Sequence, residues 1–247
     1  MRARPHRVLL YKTGVTDPVI ATKTGDYEDW FSRVLGSDVE LEIHLAFEQP
    51  HHPLRGYDGM IITGSPASLA APQPWMDDAA VLCQRAHEAG TPILGVCFGH
   101  QLLAYAFGGR VHAHPRGWEV GTCEVRVRSE GESDPLFSSL PTRIRANMSH
   151  RDEVVDLPPT IRCLAENDHS SAQAIAVGDG TRGVQFHPEI SGETLRHILA
   201  FRRQRLIEEC GHCARAIDVD ALIGASSDTP EAEEVLRNFI RHFVDRA

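Results

Sequence analysis

The sequence lacks any long hydrophobic run, because no stretch of it approaches the roughly 18 consecutive apolar residues typical of a membrane-spanning helix. The basic start of the chain is followed only by Val8, Leu9 and Leu10 before Tyr11 and Lys12. That run is too short for the apolar centre of a secretory signal. We therefore expect a protein without a membrane span or a secretory signal, located in the cytoplasm.

The chain also lacks an excess of positive charge. It carries 25 Lys and Arg against 34 Asp and Glu, a formal net charge of −9, and proteins that bind nucleic acid usually carry the opposite balance. Hydrophobic residues make up 42% of the sequence and charged residues 24%, which is ordinary globular usage and excludes disordered and fibrous classes. The composition therefore predicts a globular protein with neither a nucleic acid nor a membrane as partner.

Cysteine is scarce: 6 cysteines in 247 residues do not make the disulfide scaffold of a small secreted domain. Cys210 and Cys213 form a C-x-x-C pair, which is typical of a redox pair or of half a metal site. No second cluster at suitable spacing completes four zinc ligands, so we interpret the pair as a helix end with two partly buried thiols. Glycine patterns of phosphate or dinucleotide loops are also missing, and the sequence predicts no cofactor and no metal.

Short apolar runs rich in β-branched residues alternate with helical patterns in the first part of the chain, as in parallel βαβ units. Strands are predicted at 7–11, 39–45, 57–63 and 92–96, and helices at 26–35, 76–89 and 99–107. Later strands are predicted at 121–128, 143–146, 161–165, 172–177 and 183–186. Turns rather than helices separate these later strands, which favours antiparallel pairing. Helical patterns at 193–209 and after Thr229 end the chain.

These patterns predict an α/β fold: a three-layer sandwich with a mainly parallel central sheet, a partly antiparallel edge and a helical C-terminal tail. The sequence shows no internal repeat and no linker-like segment. We therefore predict a single domain over 1–247, with its core at about 7–190 and a helical extension at about 193–247.

The sharpest chemical signal surrounds Cys97. A predicted buried strand runs into Cys97, which has glycines two positions before and after it, and a helix follows at once. This is the spacing of a nucleophile elbow, where glycines relieve a crowded turn. The helix N-terminus favours thiolate over thiol, and the next amide, that of Phe98, is placed to stabilise an oxyanion. A buried structural cysteine is the alternative, and the full spacing argues against it.

A second signal is His187-Pro188-Glu189 at the end of an apolar strand. The residue before proline avoids the helical region, so His187 and Glu189 should point the same way in extended chain. A carboxylate beside an imidazole orients it and stabilises its cation. His100 and His150 are rival bases, but we expect His100 to point away from the thiol and His150 to belong to the substrate rim.

The segments 95–101 and 185–189 together resemble the class I (triad-type) glutamine amidotransferase family, more closely its stand-alone group similar to the amidotransferase domain of GMP synthase. Three further segments occur in the family's order. Residues 58–66 resemble its oxyanion strand, 117–121 its Gly-x-Glu-x-Gly segment, and 148–154 its Ser-His-x-Asp segment. The resemblance spans about residues 7–190.

The resemblance implies a role for each matching residue. Cys97 would attack the side-chain amide of glutamine to form a γ-glutamyl thioester, His187 would move the proton, and Glu189 would orient His187. The oxyanion would rest on backbone amides of Gly64, Ser65 and Phe98, and the substrate would be held by Gln101, Ser149, Arg151 and Asp152. Where the family often has a second glycine this chain has Ser65, which would be strained if that position requires a positive φ.

We therefore expect a glutamine amidotransferase that releases ammonia from L-glutamine, with any ATP-dependent synthetase supplied as a separate protein. Two alternatives remain at this stage. The same residues suit a free-standing γ-glutamyl hydrolase or peptidase acting on γ-glutamyl amides. The fold could also serve as a non-catalytic regulatory subunit, although that role has no physical need for all three of Cys97, His187 and Glu189.

Overall fold

A computed structural model describes residues 4–49, 51–210 and 217–245 of the chain. The strands are β1 (His6–Lys12), β2 (Val39–Leu45), β3 (Gly59–Ile62), β4 (Ile93–Val96), β5 (Arg110–Ala113), β6 (Glu119–Val127), β7 (Arg143–His150), β8 (Asp152–Val155), β9 (Ile161–Glu166), β10 (Ala174–Val177) and β11 (Thr181–Val184). The helices are α1 (Pro18–Thr24), α2 (Tyr27–Leu35), α3 (Pro74–Glu88), α4 (Phe98–Ala106), α5 (Ser129–Glu132), α6 (Gly192–Cys210), α7 (Val219–Ala225) and α8 (Pro230–Phe239). Within the described ranges, no helix has both the length and the apolar character needed to cross a membrane.

Nine strands form one mixed sheet in the order β2-β1-β3-β4-β11-β10-β9-β6-β7. The pairs from β2 to β11 are parallel, and those from β11 to β7 are antiparallel. A small second sheet pairs β5 with β8. The predicted fold class, with its parallel centre and antiparallel edge, is confirmed.

Each face of the sheet carries its own hydrophobic core. Along β1, Val8 and Leu10 belong to one core and Leu9 to the other, because successive side chains of a strand point to opposite faces. Helices α3 and α4 cover the core that holds Leu9. Helices α2, α6 and α8 cover the opposite core, which completes the three layers.

Some elements carry too weak a pattern to be predicted. Helix α1 begins at an Asp17 cap with Pro18 in its first turn, but Ile20 is its one buried residue, so its sequence shows no apolar period. Strand β5 is largely exposed, and its partner β8 follows β7 after Arg151 alone. The predicted C-x-x-C helix end lies outside what can be described, since nothing is known of the Cys210 side chain and Cys213 is not described.

The elbow between β4 and α4 is built by close backbone approach. A Cβ on Gly95 would lie 2.4 Å from the backbone oxygen of Gly99, and a Cβ on Gly99 would lie 2.5 Å from the backbone oxygen of Ile62. Both positions therefore have no room for a side chain and require glycine, although neither glycine has a positive φ. The strand can turn into the helix at this point only where side chains are absent.

We predict that Gly99→Ala lowers the free energy of unfolding by about 1–3 kcal/mol, the usual cost of overpacking a tight interior. Urea unfolding measures the loss. Gly224→Ala is the matched control, because a Cβ there meets nothing within 4 Å, and alanine in helix α7 should leave stability unchanged or raise it by up to about 1 kcal/mol. Equal effects of the two substitutions would contradict the close-approach account of the elbow.

Candidate active site

Cys97 lies at the point where β4 becomes α4, with a backbone φ of 52° and ψ of −101°. Few residues other than glycine adopt a positive φ, and such strained conformations cluster at functional sites. The Cys97 amide donates to the carbonyl of Val184 at 2.8 Å, which ties the elbow to the end of β11. The thiol is thereby held at the carboxyl edge of the sheet, with the Cys97 residue 7% exposed.

His187 reaches the same edge from the neighbouring strand. The chain continues past the end of β11, and the His187 amide donates to the carbonyl of Asn147 at 2.9 Å. His187 Nδ1 lies 2.7 Å from Glu189 Oε1, and Glu189 is 1% exposed. With Nδ1 donating to the carboxylate, Nε2 is left for the Cys97 thiol, which lies close enough to the imidazole to raise its pKa. The imidazole therefore bonds to the carboxylate on one side and shares a cavity with the thiol on the other.

The surroundings of His187 favour its protonated form. Burial alone would lower the pKa of the imidazole, but the negative charges of Glu189 and Cys97, with the hydrogen bond to Glu189, raise it to about 10. A histidine held this way can carry a proton at neutral pH. The arrangement can therefore stabilise a thiolate and deliver a proton to a group that leaves nearby.

A pocket opens beside Cys97, and Ser65 and Phe98 are among the residues that line it. The amides of Ser65 and Phe98 donate to no acceptor within the described part of the chain, and both flank the thiol. A Cβ on Gly64 would lie 3.1 Å from the His187 ring, so the Gly64 backbone also borders the site. Ser65 does not have a positive φ, so the strain considered for it is absent, and its Oγ donates to the Thr13 carbonyl at 2.7 Å.

The structure also brings together the four residues expected to hold the substrate. Gln101, Ser149, Arg151 and Asp152 all line the pocket with Cys97. Gln101 Nε2 donates to the Asp152 carbonyl and to Gln185 Oε1, both at 3.0 Å. Arg151 differs from the others, because its side chain is 47% exposed and lies 3.4 Å from Glu209. It stands at the pocket mouth rather than inside.

The rival bases occupy other environments. His100 is fully buried, does not line the pocket, and has its pKa lowered to about 3 by burial. His150 lines the pocket, but both of its ring nitrogens are engaged: Nε2 lies 2.9 Å from Glu119 Oε2, and Nδ1 lies 3.0 Å from the Asp152 carbonyl. Neither imidazole is free to serve Cys97 as a base.

Three site residues escaped the sequence analysis. Tyr27 and Arg202 line a second, narrow cavity with Cys97 and His187, and Trp118 lines the first pocket. Tyr27 matches the apolar face of its helix, so the sequence assigns it to the core. Arg202 lies in an arginine-rich stretch of α6 that resembles a solvated helix face. Of the three, Trp118 could have been found from the sequence, because it lies within the 117–121 segment that resembles the family's Gly-x-Glu-x-Gly motif.

The backbone of Tyr27 is held at the start of α2 by Asp26, which is itself ion-paired with Lys12. Asp26 Oδ1 accepts the Tyr27 amide at 2.9 Å, and Asp26 Oδ2 accepts from Lys12 Nζ at 2.6 Å. Lys12 also contacts Glu28 at 2.5 Å. Burial raises the pKa of the Tyr27 phenol, which therefore stays neutral beside the thiol.

Among the described residues, no group of three or more His, Cys, Asp or Glu side chains is arranged to hold a metal.

A thiol, an imidazole and a carboxylate side by side at the edge of an α/β sheet are the groups that a cysteine-dependent amide hydrolase uses. Residues 31–204 match the family described as glutamine amidotransferase class-I. Since the match takes in more than half of the chain, the chain belongs to the class-I glutamine amidotransferase family, as the sequence motifs predicted.

Named relatives fall into two kinds. The chain is 38% identical over 156 residues to the glutamine-hydrolysing GMP synthase of Thermomicrobium roseum, but it spans only 27% of that protein's length. It is 36% identical over 164 residues to a glutamine-hydrolysing GMP synthase subunit of Sulfurisphaera tokodaii, where 66% of this chain matches 82% of the relative. It is also 30% identical over 145 residues to γ-glutamyl peptidase 5 of Arabidopsis thaliana, matching 58% of each protein.

Solved structures share the fold. A glutamine amidotransferase from Thermotoga maritima superposes with a TM-score of 0.74 at 20% sequence identity, covering 98% of this chain and 100% of that one. The likeness therefore extends beyond the segments that carry the sequence motifs and includes the C-terminal helices.

The raised pKa of His187 predicts a pH-dependent stability. The folded protein holds this proton up to about pH 10, whereas an unfolded histidine loses it near pH 6.5. The contribution of this proton to the free energy of unfolding is therefore complete below about pH 6.5. It is lost as pH rises towards 10, with a slope of at most about 1.4 kcal/mol per pH unit. Urea unfolding between about pH 8.5 and 10, where an unfolded thiol is ionised as well, should show a shallower fall in Glu189→Gln than in the wild type.

The control for this measurement is Glu88→Gln, which replaces an exposed carboxylate at the end of α3. Its stability should fall with pH as steeply as that of the wild type. Parallel curves for the wild type and Glu189→Gln would show that Glu189 does not hold the proton on His187.

Proposed function

We propose that the protein hydrolyses the side-chain amide of L-glutamine through Cys97, His187 and Glu189 and releases ammonia. The observation that carries this proposal is that His187 Nδ1 lies 2.7 Å from Glu189 Oε1 while His187 and Cys97 line one cavity. A nucleophile, a proton carrier and an orienting carboxylate are the groups that acyl transfer requires.

In the first half of the reaction the Cys97 thiolate attacks the amide carbon of the substrate. The amide oxygen becomes an oxyanion, which the free amides of Ser65 and Phe98 or the nearby Gly64 backbone can stabilise. His187 then gives its proton to the nitrogen as the carbon–nitrogen bond breaks. Ammonia leaves, and a γ-glutamyl thioester remains on Cys97.

In the second half a water molecule replaces ammonia beside His187. The now neutral imidazole takes a proton from this water as the water attacks the thioester carbon. The carbon–sulfur bond breaks, glutamate leaves, and Cys97 and His187 return to the thiolate and imidazolium forms. Glu189 remains ionised throughout and keeps Nε2 of His187 directed at the reacting atoms.

We also propose that the ammonia serves a separate ATP-dependent synthetase. The support is that one relative is named as one subunit of GMP synthase and is matched over 82% of its length. The single-chain GMP synthase is matched over 27%, so much of that relative has no counterpart in this chain. The acidic composition of the chain suits a small-molecule substrate rather than a nucleic acid.

A second candidate function is the hydrolysis of γ-glutamyl peptides, because a γ-glutamyl peptidase is among the relatives. The same thioester chemistry would apply, with an amine larger than ammonia leaving on the His187 side. The cavity on that side is narrow and bounded by Tyr27, Trp30, Ile190 and Ile198. It suits ammonia better, which favours glutamine as the substrate. A non-catalytic regulatory role is disfavoured, since it would need neither the strained elbow nor the buried imidazole–carboxylate pair.

Replacing the nucleophile is the first test of this proposal. Cys97→Ala should lower ammonia release from L-glutamine by at least about 1,000-fold while keeping the circular dichroism spectrum of the wild type. Cys163→Ala, which removes a half-buried thiol on β9, is the control and should keep full activity. Ammonia release by Cys97→Ala at the wild-type rate would refute the assignment of the nucleophile.

Comparison of two substrates separates the candidate functions. The wild type should show a kcat/KM for L-glutamine at least about tenfold above that for γ-glutamylglycine, measured side by side as glutamate release. The physical reason is the small space beside His187 for a leaving group. Strong cleavage of γ-glutamylglycine with negligible release from glutamine would select the peptidase function instead.

A further inference from the structure

The charged side chains that line the pocket beside Cys97 are few. They are Arg151, Asp152, Arg202 and Arg205. Arg205 lies 2.6 Å from Glu209, and Arg151 lies 3.4 Å from the same carboxylate. The two exposed arginines thus share one counter-ion. Arg202 and Asp152 differ from them, because neither forms an ion pair with any residue in the described ranges.

Arg202 is the more unusual of the two. It projects from α6, a helix that packs on the core, into the pocket and into the narrow cavity beside His187. Burial lowers the pKa of its guanidinium, and the neighbouring Tyr27 and Cys97 partly offset this effect. A guanidinium remains charged at neutral pH even when it is partly enclosed. A desolvated positive charge without a carboxylate partner is costly, unless a ligand supplies the partner.

The direction of Arg202 is set by two contacts. Its Nη1 donates to Ser149 Oγ at 2.7 Å, and its guanidinium carbon lies 5.7 Å from the centre of the Trp118 ring. Trp118 is itself anchored, because its Nε1 donates to Glu209 at 2.7 Å and Arg205 lies over its ring. A guanidinium has five donors, so the single bond to Ser149 leaves others for a two-pronged contact with a carboxylate.

Asp152 supplies the opposite charge within the same pocket. Its Oδ2 accepts a hydrogen bond from Ser68, and its carboxylate has no cationic partner among the residues described. One unpaired cation and one unpaired anion beside a nucleophile complement a zwitterion, which carries a carboxylate and an ammonium on the same carbon. An α-amino acid attached through its side chain to the reacting carbonyl has this chemistry.

From this geometry we infer that Arg202 binds the α-carboxylate of the glutamyl substrate, opposite Asp152 on the α-ammonium, so that helix α6 forms part of the specificity pocket. The inference rests on the proposed function, since it concerns the substrate of the same site. It adds a specificity-determining residue that lies outside every motif of the sequence. Substrates that keep the γ-carbonyl but lack a free α-carboxylate should be rejected because of Arg202.

The test uses alkylation of Cys97 rather than turnover. Rates are measured in the 247-residue chain with three reagents: the chloromethyl ketone analogue of L-glutamine, the α-amide of that analogue, and iodoacetamide. The wild type should react about 10- to 100-fold faster with the carboxylate analogue than with its α-amide, the usual worth of a hydrogen bond to a charged group. Arg202→Met should lose this preference and Arg202→Lys should retain part of it. The iodoacetamide rate of each variant measures the intrinsic reactivity of the thiol, so that the preference is read as the ratio of the two analogue rates.

Arg203→Met is the matched control on the same helix, because Arg203 pairs with Asp220 at the surface and should keep the full preference. Three results would overturn the inference: no preference in the wild type, an unchanged preference in Arg202→Met, or slowing of that variant by one common factor with all three reagents. The last would mean that Arg202 acts on the thiolate or on the fold. A wild type that prefers the carboxylate analogue through Arg202 but releases no ammonia from glutamine would refute the proposed function and leave this subsite standing.

Discussion

The parallel pairing of β4 with β11 is the constraint on which the site depends. Gly95 and Val96 pair with Gly183 and Val184, so both strands end at one level of the sheet. The Cys97 amide then bonds to the Val184 carbonyl at 2.8 Å. This register brings a thiol and an imidazole from distant parts of the sequence together at the carboxyl edge, where sites of open α/β sheets assemble. A shift of one residue would point either group to the opposite face of the sheet.

Elements from both ends of the chain then enclose that edge. Helix α2 brings Tyr27, which Asp26 and Lys12 hold in place, and helix α6 brings Arg202 from the C-terminal side. Both helices pack on the same face of the sheet, in the core that contains Leu195 and Leu199. Helix α6 therefore lines the pocket and also packs in the hydrophobic core.

The parts that sequence analysis predicted are those with a local cause. The glycines two positions before and after Cys97 predict a crowded elbow, and the proline after His187 predicts the end of a strand. The fold class and the family follow from such patterns and are confirmed, whereas the individual roles of the site residues stay predictions. Arg202 could not be predicted, because its position depends on how α6 packs against strands far away in sequence. Strand β5 was missed because an exposed strand carries no alternation of apolar residues.

The central claim is that Cys97 carries the acyl group during hydrolysis. Its most direct test is to mix the protein with L-glutamine, quench with acid within milliseconds to seconds, and map any covalent adduct by peptide mass spectrometry. The account predicts one glutamyl group, bound as a hydroxylamine-sensitive thioester to the peptide that contains Cys97, appearing and decaying with turnover. Turnover with no adduct on that peptide, or with the glutamyl group on another cysteine, would contradict it.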